Sequence, residues 1–439
     1  MPRLPLLFAL AVPLVFLHAD YQPSVSVGEA TLYLSDVAVL AIGGLGLAAG
    51  LRHGFGPLRE ARAVWIGAAV FGALVLLSIA YSAATADDYA TFTHFLTAAK
   101  FFEYALLALA APLVFRAASD VGALVVTLTV WSSAATIGAA LQFVGLLNEF
   151  EGRRPGQREP SFLGIHDLAA LSGATLAVGL MALALGWGDS TSPQPRGTGF
   201  SLSPTNNRAL AYLAGIAGAL GLVLSGATTA LVGVVAAGIA AWLLGRRHAI
   251  AIGAVVLAVS AGVIAIRTVD TRPLLDFLGV ERPREVATDP EASWQQRFAL
   301  GYIGGRIFLE HPVFGAGWQR SEDADEYEPF VDDARRRFPD LPEVALPSRE
   351  HPWGVQNAYV QAAADMGVLG LAAFLALFLV PLRAAWRTGA AGAVPILWLL
   401  VSMGVWNGLG VVAGIPLVGL TWLAIGLAAA AAAWTARAG

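Results

Sequence analysis

The sequence predicts an all-α polytopic membrane protein, with about twelve transmembrane helices and one large extracytoplasmic loop containing short helices. Three observations carry this expectation. Mean hydropathy is +0.66. Of the 439 residues 57% are apolar and only 13% charged, where soluble domains carry roughly a quarter. Apolar runs recur along the chain, and the charged residues gather in one stretch, between Arg267 and Gly354.

The runs lie at 4–19, 34–51, 64–81, 97–115, 121–145, 167–187, 209–224, 227–244, 249–266, 366–382, 394–409 and 413–435. Each approaches the ~20 residues that cross a bilayer as a helix. The first, behind Arg3, has the charge and apolar length of a signal peptide. His18-Ala19-Asp20 is a poor cleavage site, so it reads as a short first span. The seventh and eighth runs are separated by little more than Ser225-Gly226, and the parity of the later spans depends on a break there.

With a cytoplasmic N-terminus, every inner loop receives at least one Arg, among them Arg52, Arg116, Arg246 and Arg383. The outer loop 82–95 carries Asp87 and Asp88 and no base. This asymmetry puts both termini in the cytoplasm. The chain then divides into nine helices over 1–266, the large outer loop at 267–355, and three helices over 356–439. At the outer end of the fourth run, Lys100 and Glu103 are spaced to form an i,i+3 ion pair.

Within the loop, Ser293 is a candidate N-cap for a helix Trp294–Glu310, with Trp294, Phe298, Ile303 and Ile307 as its apolar positions, stopped by His311-Pro312. Phe314 to Trp318 reads as a turn, Ser321 to Asp333 as an acidic, solvated stretch, and Pro339 to Pro352 as irregular chain. Arg335-Arg336-Arg337 reads as a solvated face, and Val355 to Asp365 as a short amphipathic helix running into the next span.

Several function classes are disfavoured. A net charge of -4 argues against nucleic acid as a partner. No cysteine is present, so the outer loop has no disulfide and the chain no thiolate chemistry; packing must hold the loop. The sequence has no P-loop, no EF-hand and no His pair of zinc-ligand spacing, so no metal and no cofactor are expected.

The strongest local pattern is Arg297, then Pro312-Val-Phe-Gly315-Ala-Gly317, then Gln356-Asn357-Ala-Tyr359-Val-Gln361 with Asp365-Met-Gly367-Val-Leu-Gly370. Together these residues resemble the O-antigen ligase and O-antigen polymerase superfamily of bacterial envelope glycan enzymes. The similarity covers about 205–385, and upstream Arg158, Ser161, Phe162 and Asp167-Leu168-Ala169 resemble an earlier outer loop of that family.

The resemblance implies a metal-independent transferase in the bacterial cytoplasmic (inner) membrane. It would move a glycan from an undecaprenyl-pyrophosphate carrier to a hydroxyl of an acceptor glycan or glycolipid on the outer face. The leaving group is a lipid pyrophosphate, which guanidinium groups stabilise through bidentate charge-assisted hydrogen bonds. Arg297 holds the family position for this, with Arg158 and Arg153 as partners. Arg306 lies further along the same helix, rotated from Arg297 by about 180° at ~100° per residue, and cannot share the site.

The acceptor hydroxyl needs a general base. Where the family has His before Asn, this chain has Gln356, which orients a hydroxyl but takes no proton. His351, five residues earlier, is then the base on offer, and Asn357 and Tyr359 would shape the acceptor site. Thr228 stands where family members place an Arg. His166-Asp167 reads first as a helix cap by Asp167 and second as part of the site. Three other readings stay open: a repeat-unit polymerase, a small-solute transporter resting on size and topology alone, and a non-catalytic relative that binds glycan lipids.

Overall fold

The computed structural model describes residues 3–27, 30–86, 88–147, 155–185, 204–245, 248–268, 290–412 and 415–438. Among these, ten helices are long and apolar enough to cross a membrane. Two shorter apolar helices, Leu4–Val15 and Thr228–Leu244, coincide with the first and eighth expected runs. The protein is an all-α, multi-pass membrane protein. One small element departs from the all-helical expectation: Ser24–Val27 and Ala30–Tyr33 pair as antiparallel strands, Ser24 opposite Tyr33, just before helix Leu34–His53.

Ser225-Gly226 does break the chain between two helices. Gly226 takes φ +57°, a left-handed conformation open to glycine, and the Ser225 hydroxyl donates to the Leu222 carbonyl at 2.7 Å. Helix Pro204–Ser225 therefore stops, and helix Thr228–Leu244 starts as a separate element.

Inside a bilayer every polar group needs a partner within the protein, and buried tryptophans use theirs to tie helices together. The indole N–H groups of Trp398, Trp406 and Trp422 donate to the Ala174 carbonyl, the Thr421 hydroxyl and the Phe101 carbonyl at 3.0–3.1 Å. Where helix Ala393–Trp406 crosses helix Thr228–Leu244, a Cβ on Gly404 would stand 2.3 Å from the Gly233 nitrogen, so only glycine permits that backbone approach. Lys100 meets Glu103 at 3.4 Å, as spaced, and also Asp36 at 2.5 Å.

The loop differs from expectation in four ways. Its first helix begins at Pro290, because proline fits the first turn, where its missing N–H is no loss; Ser293 is inside the helix and is not its cap. The buried stripe is Ala299, Ile303 and Ile307, four residues apart, whereas Phe298 is 65% exposed. The side chain of Trp294 lies outside the described residues. The acidic stretch is an amphipathic helix, Ala324–Arg337, whose Tyr327, Phe330 and Ala334 pack on Ile303 and Ile307. The segment after Val355 is one long helix, Ala358–Trp386, kinked at Gly367. The loop thus has a small apolar core of its own, and Arg335 and Arg336 sit outside it in ion pairs with Asp332, Glu343 and Asp333.

Candidate functional site

Four helix ends converge beneath helix Pro290–Glu310: the end of Pro204–Ser225, the start of Thr228–Leu244, the end of Ala249–Thr268 and the start of Ile165–Leu185. Between them is a cleft lined by Arg158, His166, Ala227, Thr228, Thr229, Arg267 and Arg297, with about 240 Å³ of open space, solvent included. Its three arginines come from three separate segments. The N-terminus of helix Thr228–Leu244 opens into it, adding free N–H groups and the positive end of the helix dipole.

Each arginine is packed in place. Arg297 is part-buried and donates to the Gly408 carbonyl at 3.1 Å, its one hydrogen-bond partner among the described residues. Arg267 donates to the Gly226 carbonyl at 3.1 Å. Arg158 runs against Gly226, where an added Cβ would stand 2.6 Å from its Cγ and Cδ. Burial, and then the neighbouring charge of Arg267, lower the basicity of Arg297. Crowding of like charge at the start of a helix is the electrostatic setting that an anion relieves. Among the described residues no group of three His, Cys, Asp or Glu has the arrangement to hold a metal ion.

The turn Pro312–Trp318 docks into the membrane domain. Ala316 and Gly317 donate their N–H groups to the Ala364 and Asp365 carbonyls at 2.9 and 2.8 Å, and Val368 donates to the Pro312 carbonyl at 2.9 Å. The Asp365 carboxylate is fully buried and accepts the N–H groups of Gln319 and Ser321 at 3.1 and 3.0 Å. Gly315 at φ +75° and Gly367 at φ +66° make room for this contact. Trp318 donates to the Thr97 hydroxyl at 3.0 Å, and Tyr89 donates to the Trp318 carbonyl at 2.9 Å. The glycine-rich pieces of the sequence pattern therefore hold the loop over the helices, and the arginines form the chemical surface.

Residues 213–375 match the family described as O-antigen ligase. The chain carries an O-antigen ligase domain. No curated protein matches the chain. The domain includes Thr228, Arg267, Arg297, the docked turn and Asn357; Arg158 and His166 reach the same cleft from upstream of it.

Of the residues expected in the site, the structure brings Arg158 and Arg297 together. Arg153 lies outside the described residues. Arg306 turns away to Asp333 at 3.0 Å. Asn357 caps helix Ala358–Trp386, its Oδ1 accepting the N–H groups of Tyr359 and Val360 at 3.1 Å, while its Nδ2 donates to Asn407 Oδ1 at 2.8 Å. The Tyr359 hydroxyl donates to the Met403 carbonyl at 2.8 Å, within the membrane domain. Gln356, next to the cap, is part-buried and is not among the cleft residues. His351 is exposed, stacked on Trp353 with ring centroids 6.3 Å apart. Asp167 is a cap, though not of its own helix: its Oδ1 accepts the Leu417 N–H at 3.0 Å, at the start of helix Ile415–Ala438.

Sequence reasoning missed Arg267 and Thr229 as members of the site. Arg267 looks like the first polar residue after a span, and only the antiparallel return of that span beside Gly226 brings it to the cleft. It supplies a guanidinium next to Thr228, the position where the family pattern has an arginine.

Proposed function

We propose that this protein transfers a glycan from an undecaprenyl-pyrophosphate carrier to an acceptor sugar hydroxyl at the outer face of the bacterial cytoplasmic membrane. The observation that carries the reading is the convergence of Arg158, Arg267 and Arg297 on the start of helix Thr228–Leu244, in a chain with an O-antigen ligase domain. A pyrophosphate between those groups takes bidentate hydrogen bonds from the guanidiniums and further ones from the helix N–H groups. As the glycosyl bond breaks, negative charge grows on that pyrophosphate, and fixed donors stabilise it most at that moment. The cleft lies under helix Pro290–Glu310, which this reading places outside the membrane, with both termini in the cytoplasm. Asn357, near Gly408 through its Asn407 contact, borders the side from which the acceptor enters.

Deleting the gene in its source organism and profiling carrier-linked and finished envelope glycans tests the reading. Full-length glycan retained on the carrier, and released by the wild-type gene but not by Arg297→Ala, is the expected result. Accumulated single repeat units indicate a polymerase of the same chemistry. Unchanged pools refute glycan transfer.

A further inference from the structure

Resting on that reading of the cleft, we propose that His166 is the proton acceptor for the attacking hydroxyl. The reaction needs such a group. The acceptor oxygen forms a bond to the anomeric carbon while the bond from that carbon to the pyrophosphate oxygen breaks. The electron pair leaves with the lipid pyrophosphate, and the hydroxyl proton must go to a base near the reacting atoms.

The chain has seven histidines, and among the described residues only His166 lines the cleft. The others have different places. His94 is buried, stacked on Tyr89 and 3.3 Å from the Asp323 carboxylate. His311 pairs with Glu326 at 3.1 Å. His53 ends helix Leu34–His53, which gives the cleft no residue, His248 precedes helix Ala249–Thr268, whose far end carries Arg267, and His18 precedes the strand pair. His351 is exposed, in a turn closed by reciprocal Ser348 and His351 backbone hydrogen bonds of 3.0 and 3.1 Å.

The placement of His166 is firm. It sits in the first turn of helix Ile165–Leu185, which follows Gly164 at φ +95°, and the adjacent Asp167 ties that turn to the Leu417 N–H. Its ring is part-buried, with Nδ1 shielded from solvent. Among the described residues, the charged groups that line the cleft with it are Arg158, Arg267 and Arg297, and Oδ1 of the adjacent Asp167 accepts the Leu417 N–H. As the glycosyl bond breaks, the imidazolium formed by taking the hydroxyl proton stands beside the negative charge that grows on the pyrophosphate.

The test uses the full chain in lipid nanodiscs. Carrier-linked glycan and acceptor glycolipid come from the deletion strain, and undecaprenyl pyrophosphate is the binding probe. His166→Ala is expected to lower turnover at saturating carrier-linked glycan by about 100-fold or more. Undecaprenyl pyrophosphate binding should stay close to wild type, and added imidazole should restore part of the turnover. Wild-type turnover in His166→Ala overturns the proposal, as does loss of binding together with turnover and no imidazole rescue, which marks a packing role. A reversed pattern, with His351→Ala inactive and His166→Ala active, overturns it too. If wild-type protein neither binds undecaprenyl pyrophosphate nor transfers glycan, the reading of the cleft fails and the proposal falls with it.

Discussion

Replacing Gly315 by Ala should release the loop from the membrane domain. Gly315 adopts φ +75°, and a Cβ there would stand 2.2 Å from the Asp365 carbonyl carbon, a backbone atom that cannot rotate away. The left-handed conformation alone costs an alanine about 1–2 kcal/mol. Relieving the overlap means backing the turn away from helix Ala358–Trp386, which breaks the hydrogen bonds that Ala316 and Gly317 donate to that helix and the one that its Val368 donates to Pro312. Each contributes about 0.5–1.5 kcal/mol, so the total loss is roughly 2.5–6.5 kcal/mol. The control is Gly301→Ala: in the helix Pro290–Glu310 a Cβ at Gly301 meets nothing within 4 Å, and Gly→Ala in a helix is favourable by up to about 1 kcal/mol. Limited proteolysis of the loop in detergent-solubilised protein, read against temperature, compares the two. Gly315→Ala should expose the loop at a far lower temperature than wild type, with Gly301→Ala at or above it. Equal protection of the two variants would refute the docking argument.

Gly226→Ala should impair transfer while leaving the fold intact, because its Cβ would displace the Arg158 side chain and strain a residue at φ +57°; binding and turnover fall while the thermal midpoint moves little. Burial raises the pKa of Glu322, opposed by the hydrogen bond that Gln361 donates to it. A raised carboxylate contributes stability below the ordinary glutamate value that is lost as pH climbs through the raised one. Glu322→Gln should therefore be more stable than wild type at pH 8, a gain that disappears towards pH 4 in thermal melts. Asp167→Ala leaves the buried Leu417 N–H without its acceptor and should cost about 1–3 kcal/mol, seen as a lower melting midpoint.

Much of the fold was legible because long apolar runs have few alternatives to spanning helices, and even Ser225-Gly226 marked its own break. The amphipathic helix Ala324–Arg337 was legible in principle from Tyr327, Phe330 and Ala334, but its acidic residues and Pro329 masked the spacing. At the site, Arg297 and Arg158 could be paired through the resemblance alone. Arg267 could not, since neighbourhood across four helix ends is decided by packing angles that no local spacing encodes, and His166-Asp167 reads in sequence first as a cap and only second as part of the site. Family register also marked Gly315, Gly317, Gly367 and Asp365 without saying what they do. The φ values and the buried hydrogen bonds explain them as the joint between loop and membrane domain.

The most direct test of the three-arginine cleft is the affinity of the full chain in nanodiscs for undecaprenyl pyrophosphate, compared with Arg158→Ala, Arg267→Ala and Arg297→Ala. A charge-assisted hydrogen bond contributes about 1.5–3 kcal/mol, so each variant should bind roughly 10- to 150-fold more weakly, since ~1.4 kcal/mol is a factor of ten. Arg267→Ala is the decisive member, because only the fold assigns it to the site. Weakened binding in all three supports the account, and wild-type affinity in Arg267→Ala would contradict it.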